Sequence, residues 1–522
     1  MRKTKIICTL GPSTDKEGVL RDLIANGMNV ARFNFSHGSH EEHLGRLEKL
    51  KALREELGKP VAALLDTKGP EIRLKDFKNG VENLVAGQTF TLTTRDVEGT
   101  NEICSITYKD LPMDVEPNGT IMLDDGLIKL QIQTVNDTDI VCTVLNSGKI
   151  KNKKGVNVPG VHLSMPYMSQ RDKDDIIFGI QQGYDFIAAS FVRTAQDVYD
   201  IRNLLNQYDS NIRIIAKIEN REGVNNIDSI LAAADAVMVA RGDLGVEIDF
   251  TELPGIQKTI IDRSFSFGKP IVTATQMLDS MIVNPRPTRA EISDVANAIY
   301  DGTSAIMLSG ETAAGAYPVE ALKTMSAIAE RTENEPHYRD ERFKEAHGQI
   351  SVSDATAHAA CLTAKDVNAA AIVTVSESGN TARLLSKYRP QQPIIACVMR
   401  EQVQRQLSLS WGITPLMMSL AHSTDELIEM STALAKENGY LHNGELAVVT
   451  AGVPVGVSGT TNMIKIHMVG NCLSTGVGVG RESAALTSAS GKACVCRTLD
   501  EIRAKFKPGM VLVLSLIHIS EP

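Results

Sequence analysis

The sequence predicts an α/β protein: a (β/α)8 TIM barrel with an inserted small β-barrel domain and a C-terminal α/β domain. Three observations lead to this fold class. Eight short apolar runs alternate with stretches of helical periodicity, as in strand–helix units of a closed parallel barrel. One long segment inside this alternation lacks helical periodicity. Beyond it, from about residue 351, a second series of strands and helices begins.

The composition excludes several classes of protein. The 522 residues are several times the length of a typical domain of roughly 100–150 residues, so more than one domain is expected. With 43% hydrophobic and 22% charged residues the chain is not of the disordered class. The net charge of -9 and the 4% aromatic content disfavour a general nucleic-acid binder. No apolar run is long enough to span a membrane, and eight sparse cysteines predict reduced, cytoplasmic thiols.

The predicted barrel occupies residues 1–68 and 167–340. Its eight strands are the apolar runs at 6–10, 29–33, 62–65, 186–190, 213–218, 236–240, 270–274 and 305–308. Amphipathic stretches such as 41–56 and 195–207 separate most of the runs and predict the intervening helices. Eight strand–helix units favour a closed barrel over an open sheet.

Residues 69–166 predict a small all-β domain inserted after the third barrel strand. Apolar and polar residues alternate with a period of two, as in QTFTLT at 88–93 and KLQIQ at 129–133, and turn motifs recur between such runs. Barrel enzymes keep their chemistry at the carboxyl ends of the strands, where this insertion lies. We therefore expect it to act as a lid over a site.

Residues 341–470 predict a separate α/β domain. Its predicted elements are a helix at 353–365, a strand at 370–375, a helix at 381–387, a strand at 393–398 and a strand at 445–449. Beyond it, residues 471–522 begin with a Gly-rich stretch and are too few for a sturdy core. This last segment is predicted to be a truncated extension, and the alternative is that its last residues are not native.

Charged residues follow the fifth and sixth predicted strands. Lys217 and Glu219 are two apart in a strand and therefore project to the same side. After the sixth strand, Gly242 permits a tight turn into a short helix whose amides can hold an anion, next to Asp243. Glu219 and Asp243 are a carboxylate pair suited to Mg2+. A purely structural Lys–Glu ion pair is the alternative.

Polar residues also follow the second strand. Arg32, Asn34 and Ser36 alternate onto one face. Arg32 is suited to bidentate phosphate binding, and the neutral side-chain oxygens of Asn34 and Ser36 are suited to a hard cation. Ser36 is alternatively a helix N-cap, and His37 alone is more typical of an ordinary hydrogen-bonded histidine.

Two further strand ends carry candidate residues. The third strand ends at Asp66 and Thr67 in an unusually charged run, and the seventh brings Thr275 to its end. A threonine at a strand end is usually structural, so a catalytic role for Thr275 depends on its neighbours. Near the end of the β insertion, a basic run that includes Lys154 borders the barrel mouth and is placed to reach a nucleotide phosphate.

These segments together resemble the signatures of the pyruvate kinase family. The matching motifs are NFSHG at 34–38, LDTKGPEIR at 65–73, KIEN at 217–220, MVARGDLG at 238–245, ATQML at 274–278, NPRPTRAE at 284–291 and MLSGET at 307–312. They occur in the family's order, with the β insertion in its family position. The resemblance implies transfer of phosphate from phosphoenolpyruvate to ADP, giving pyruvate and ATP.

The resemblance also implies roles for individual residues. It places Mg2+ on Glu219 and Asp243, and the phosphoryl group in transfer on Lys217. It implies that the Gly242 and Asp243 amides receive the substrate carboxylate and that Thr275 helps to protonate the enolate carbon. Its phosphate-binding residues are Arg32, Arg73 and Lys154; its nucleotide-side residues are Asn34 and His37; and its K+ ligands are Asn34, Ser36, Asp66 and Thr67.

The resemblance also implies a cation requirement, an allosteric activator and an oligomeric state. Family members with Lys in place of Glu71 do not need K+, so Glu71 predicts a K+ requirement. A phosphorylated allosteric activator is expected at the turn after a strand of the third domain, although an ordinary capped turn is the alternative. The residues of this turn are Thr374, Ser376, Ser378, Gly379, Asn380 and Thr381. A homotetramer is also expected.

Two other functions remain open from the residues. One is another Mg2+-dependent barrel enzyme that works on an enolate, such as an aldolase or a phosphoenolpyruvate mutase; these lack the β lid and the motif at 34–38. The other is a sugar-phosphate sensor that has lost catalysis. Such a sensor is expected to have lost Lys217, Glu219 or Asp243, and all three are present.

Overall fold

The computed structural model describes residues 2–335, 351–453, 461–470 and 491–514. Eight parallel strands close into a barrel in which neighbours in sequence are neighbours in space. In chain order these strands are Lys5–Thr9, Val30–Asn34, Ala62–Asp66, Phe186–Ala189, Arg213–Ile218, Ala236–Ala240, Ile271–Ala274 and Ala305–Leu308. Each matches a predicted strand within one or two residues, which confirms the predicted barrel.

The barrel strands are apolar and almost entirely buried because side chains fill the interior while helices cover the outside. The helices of this unit are Val19–Ala25, His40–Glu56, Gln170–Gln182, Ala195–Gln207, Arg221–Asn225, Ile227–Ala233, Arg241–Glu247, Leu253–Ser266, Arg289–Asp301, Gly310–Ala313 and Pro318–Glu333, with a 3-10 turn at Asp279–Ile282. Capping boxes start several of them; at the second helix Ser39 caps the amide of Glu42. The alternative assignment of Ser36 as this N-cap is therefore wrong.

The chain between the third and fourth barrel strands forms the β insertion. A six-stranded sheet and a two-stranded sheet share one apolar core. The strands are Val81–Leu84, Thr89–Thr93, Ile103–Ser105, Thr120–Leu123, Ile128–Val135, Asp139–Val144, Gly148–Lys151 and Val156–Asn157, with a short helix at Leu111–Asp114. Most alternate buried and more exposed residues, as the period of two predicts.

A second α/β unit follows the barrel. Its sheet has five strands, four parallel and one antiparallel at the edge. The strands are Ala371–Val375, Ile394–Val398, Ile413–Met417, Leu446–Gly452 and Thr461–Met468, and the helices are Val352–Asp366, Asn380–Lys387, Glu401–Leu407 and Thr424–Glu437. Two of these strands and two of these helices were not predicted from the sequence.

Near the carboxyl end, Lys492–Cys496 and Met510–Leu514 form a two-stranded parallel sheet, connected by the helix Leu499–Lys505. The predicted Gly-rich stretch at 474–480 lies outside the described residues. Within the described part of the chain, no helix has the length and apolar character needed to cross a membrane.

Candidate active site

Lys217 lies at the centre of a buried polar cluster at the carboxyl end of the fifth barrel strand. Its Nζ donates to Ser190 Oγ at 2.8 Å and to Asp66 Oδ1 at 3.1 Å, and lies 2.9 Å from Glu219 Oε1. The predicted common orientation of Lys217 and Glu219 is therefore confirmed. Three neighbouring strands thus contribute to one cluster, because the carboxyl ends of parallel barrel strands meet at one face.

Opposite charges stabilise this buried ammonium. Burial disfavours the charged form, but the Asp66 and Glu219 carboxylates more than offset it, so the pKa of Lys217 lies above its ordinary value. Burial likewise opposes ionisation of Asp66, and the charges of Arg32 and Lys217 lower its pKa below the ordinary value. Lys217 is therefore a fixed positive charge at the barrel mouth.

Glu219 is fully buried, and its negative charge is only partly compensated by its neighbours. Its Oε2 accepts the Phe191 amide at 2.6 Å, while Oε1, although close to Lys217, makes no well-directed hydrogen bond. Burial and the nearby charge of Asp243 raise the pKa of Glu219 to about 7, although Lys217 acts in the opposite direction. A carboxylate oxygen without a hydrogen bond next to a second carboxylate fits a hard divalent cation, which would supply the missing positive charge.

The sixth and seventh strands bring Gly242 and Thr275 together. Arg241–Glu247 is a short helix, as predicted, and its Gly242 amide donates to Thr275 Oγ1 at 2.7 Å. Thr275 has a φ of 69°, which is strained for a β-branched residue. Arg241 donates to the Thr275 carbonyl at 2.7 Å and thereby stabilises this backbone. The Thr275 hydroxyl is thus held at the start of the helix that carries Asp243.

Asp243 faces the β insertion. It is half-buried and lines a cleft of 290 Å3 between the insertion and the barrel. Burial, followed by the Asp243 charge, raises the pKa of Asp125, which belongs to the insertion and lines the same cleft. The insertion is therefore packed over the barrel mouth and adds negative charge beside the predicted Mg2+ ligands.

The predicted K+ ligands lie at the ends of the second and third strands. Asn34 and Asp66 are directly opposite each other in register, and Asn34 Oδ1 accepts the Ser36 amide at 3.1 Å. Thr67 Oγ1 accepts the Ser190 amide at 3.2 Å. Arg32 is buried nearby and donates to Asp66 Oδ2 at 2.6 Å. Asp66 therefore connects this group of oxygens to both Arg32 and Lys217.

The predicted nucleotide-side residues are more exposed. Arg73 Nη2 lies 2.6 Å from Glu71 Oε1 and Lys154 Nζ lies 2.7 Å from Asp124 Oδ1, so both cations form ion pairs within the insertion. His37 is exposed at the end of the second strand. These residues border the barrel mouth from two sides, and the structure does not join them into one cluster.

Two buried residues of the site were missed in the sequence. Ser190 donates to the Thr67 carbonyl at 2.7 Å and accepts from Lys217. Glu311 accepts the amides of Leu278 and Ser309 at 3.1 and 2.7 Å, which supports the loop after Thr275. Burial raises the pKa of Glu311. For Glu311 the signal was its position in the MLSGET motif, and for Ser190 it was the position of a polar residue at the end of the predicted strand 186–190.

The predicted effector turn follows the first strand of the second α/β unit. Thr374 and Ser376 are buried, while Ser378 is half-buried and its carbonyl accepts from Arg383 at 2.7 Å. Gly379 has a φ of 75° and precedes the helix Asn380–Lys387. The Thr381 and Thr461 hydroxyls are hydrogen-bonded at 2.6 Å. The resemblance to the family also places the loop at 452–462 opposite this turn, and residues 454–460 of that loop lie outside the described residues.

Comparisons with known proteins agree with this geometry. The family model "Pyruvate kinase, barrel domain" matches residues 1–322, and "Pyruvate kinase, alpha/beta domain" matches residues 354–467. Pyruvate kinase of Geobacillus stearothermophilus is 52% identical over 98% of this chain and 87% of its own length. For pyruvate kinase of Staphylococcus aureus strain MRSA252 the values are 49%, 99% and 88%.

A solved structure is also similar. The crystal structure of a pyruvate kinase from Cryptosporidium parvum superposes with a TM-score of 0.84 at 42% identity, and the match covers 90% of this chain and 96% of that one. The barrel-domain model and both relatives cover the barrel strand ends at which the motifs lie, and the second model covers the α/β unit that follows. The chain belongs to the pyruvate kinase family.

Proposed function

We propose that this chain transfers the phosphoryl group of phosphoenolpyruvate to ADP, giving pyruvate and ATP, at the cluster around Lys217. The observation that carries the proposal is the buried arrangement of Lys217 between Asp66, Glu219 and Ser190 at the barrel mouth. Both substrates are anionic, so the main requirement is to hold negative groups in line while charge moves between them. A fixed ammonium beside a cation site meets this requirement.

Lys217 and Arg32 bind the phosphoryl group in this proposal. Lys217 stabilises the charge of the group during transfer, and Arg32 orients it from the second strand. Both cations are now paired with Asp66. Asp66 therefore holds the two donors in place before substrate binds, which lowers the reorganisation that the reaction needs.

Glu219 and Asp243 hold Mg2+ in this proposal, and Asn34, Ser36, Asp66 and Thr67 hold K+. A divalent ion there would act as a Lewis acid toward phosphate and enolate oxygens. The hydrogen-bond-deficient oxygen of buried Glu219 supports this assignment. Arg73, Lys154, Asn34 and His37 would bind the nucleotide from the rim.

Thr275 completes the reaction in this proposal. Loss of the phosphoryl group leaves the enolate of pyruvate, whose methylene carbon must gain one proton. The Thr275 hydroxyl, next to the Gly242 amide, is placed to deliver it, directly or through water. The Gly242 and Asp243 amides receive the carboxylate of the substrate.

The test is an assay in which lactate dehydrogenase consumes the pyruvate formed. Turnover of phosphoenolpyruvate that depends strictly on ADP supports the proposal. Turnover without ADP would indicate a different enolate reaction. The complete absence of turnover in folded protein that still binds sugar phosphates would indicate a sensor.

We also propose activation by a phosphorylated metabolite at the effector turn, assembly into a homotetramer, and a cytoplasmic location. Hydroxyls, together with amides at the start of the helix Asn380–Lys387, support phosphate binding at the turn. All seven cysteines in the described residues are buried and unpaired, which supports a reducing compartment. The domain boundaries at residues 68, 166, 340 and 470 are part of the same proposal.

Replacing Ser376 and Thr381 together by Ala is expected to abolish activation while leaving basal turnover within a few-fold. The change removes hydroxyl donors from the turn and leaves the barrel mouth untouched. The measurement is an activation curve for each of several sugar phosphates and nucleoside monophosphates. Thr356→Ala, which removes a hydroxyl from the helix Val352–Asp366, is the matched control. Unchanged activation in the double variant would place the activator elsewhere.

A further inference from the structure

The helix Glu401–Leu407 contacts the barrel at the end opposite to the active site. Arg405 Nε donates to Asp185 Oδ1 at 2.9 Å, and Gln406 Nε2 donates to the Asp185 carbonyl at 3.3 Å. Asp185 immediately precedes the fourth barrel strand and is fully buried. A buried carboxylate needs such partners, because an uncompensated buried charge is strongly unfavourable.

Asp185 also joins the third and fourth barrel strands at their amino ends. Its Oδ2 accepts the Ala63 amide at 2.9 Å, and its own amide donates to the Ala63 carbonyl at 2.9 Å. Arg54 is a further cation near Asp185, with Nη1 3.9 Å from Oδ2, beyond hydrogen-bond distance. Arg405 is thus the cation that is hydrogen-bonded to this carboxylate.

The two strands joined by Asp185 lead directly to the catalytic cluster. Ala63 is three residues before Asp66, and Asp185 is five residues before Ser190, or about 10 and 16 Å along extended strands. At the far end, Lys217 donates to both Asp66 and Ser190. A shift between the amino ends of these strands therefore moves two of the groups that hold Lys217.

The same helix contacts the effector turn. A Cβ atom built on Gly379 would lie 3.0 Å from Leu407 Cδ2 and 3.2 Å from Val403 Cγ1, so the turn packs closely against the helix. Val403, Arg405 and Leu407 lie within two turns of one short helix. The helix is thereby in contact with the effector turn and with the barrel.

We propose that Asp185 is a positioning residue: through its ion pair with Arg405 it sets the relative position of the third and fourth strands, and so the geometry of the cation and phosphoryl sites. The inference rests on the proposed K+ site, because Asp66 and Thr67 are the ligands that such a shift displaces. Movement of the helix Glu401–Leu407 changes the geometry of the ion pair between Arg405 and Asp185. This route links the effector turn to Lys217 through hydrogen bonds and packed strands.

The test measures the K+ concentration for half-maximal activity in the full chain. Arg405→Gln leaves Asp185 buried without a hydrogen-bonded cation. The Asp185 carboxylate is then expected to rotate away, which breaks its hydrogen bond with the Ala63 amide, or to become protonated. We expect the half-saturating K+ concentration to rise roughly three- to tenfold, which lies within the range of coupling energies between residues of one hydrogen-bond network. Asp185→Asn is expected to raise it similarly.

A double-mutant cycle gives the sharper result. In the variant with both Arg405→Gln and Asp185→Asn, both members of the ion pair are replaced by neutral side chains, so the half-saturating K+ concentration is expected to be no higher than in either single variant. If the double variant instead shows the combined rise in half-saturating K+ concentration of the two single variants, the proposal is overturned. Ser408→Ala is the matched control, because it removes another hydrogen bond between the two units, to the Pro60 carbonyl, and leaves Asp185 intact.

Thermal stability separates this role from a merely structural one. If the Arg405 and Asp185 variants have a lower melting temperature than the wild type but the same half-saturating K+ concentration, Asp185 has only a structural role and the proposal is overturned. A rise in half-saturating K+ concentration in the Ser408→Ala control that equals the rise in the Arg405 and Asp185 variants would also overturn the proposal. If the wild type itself needs no K+, the proposed cation site fails; if the wild type needs K+ and the variants are unchanged, only the role of Asp185 fails.

Discussion

Replacing Lys217 by Met is expected to lower the turnover of phosphoenolpyruvate by roughly 10³-fold or more, by analogy with the loss of preorganised oxyanion donors. The change removes the ammonium that lies 2.9 Å from Glu219 and 3.1 Å from Asp66. Met keeps nearly the same length and apolar stem, so the barrel is expected to remain folded. The measurement is the lactate-dehydrogenase-coupled rate at saturating substrates and Mg2+.

Two controls accompany this variant. Lys323→Met removes an exposed lysine from the helix Pro318–Glu333 and is expected to keep wild-type turnover. Circular dichroism and a Mn2+ titration check that the fold and divalent-cation binding survive in Lys217→Met. Near-normal turnover of Lys217→Met would refute the assignment of Lys217 as the phosphoryl-binding group.

Activity is expected to fall by roughly two orders of magnitude when tetramethylammonium replaces K+ in the presence of Mg2+, the size of effect expected from losing one preorganised charge. In the proposed function, the oxygens of Asn34, Ser36, Asp66 and Thr67 hold one large monovalent cation beside the phosphoryl group. Na+ is smaller and is expected to replace K+ poorly. The measurement is the initial rate in each salt at constant ionic strength.

Glu71→Lys tests the electrostatic basis of this requirement. Glu71 now pairs with Arg73 at 2.6 Å and lines the cleft that Asp243 also lines. A permanent ammonium at this position is expected to restore part of the activity without K+, whereas Glu71→Gln removes the carboxylate charge and adds no cation. Full activity of the wild type without K+ would refute the cation site. Equal rescue by Gln and Lys would show that loss of the Glu71 charge, and not a new cation, is responsible.

Local sequence pattern was sufficient for most of the fold. A barrel strand is covered on both faces, so it appears as a short continuous apolar run, and all eight runs proved to be strands. The pattern failed in the second α/β unit, where Ile413–Met417 contains Thr414 and Pro415 and has an exposed end. Thr461–Met468 is an edge strand with largely exposed side chains and was missed for the same reason.

The sequence by itself also determined part of the candidate active site. The two-residue period of a strand is enough to place Lys217 and Glu219 on one side. The turn at Gly242 and the helix that follows were likewise predicted from local residues. In each case the relevant atoms are a few residues apart, so backbone geometry alone decides their relative direction.

Only the tertiary structure decided which distant groups share a cluster. Lys217 meets Asp66, 151 residues earlier, and Arg405 meets Asp185, 220 residues earlier. Strand register and the packing of the second α/β unit against the barrel set these pairs, and the spacing of residues along the chain specifies neither. The missing hydrogen bond of Glu219 Oε1 and the strained φ of Thr275 have the same origin, because burial and backbone constraint arise from segments that meet only in the folded barrel.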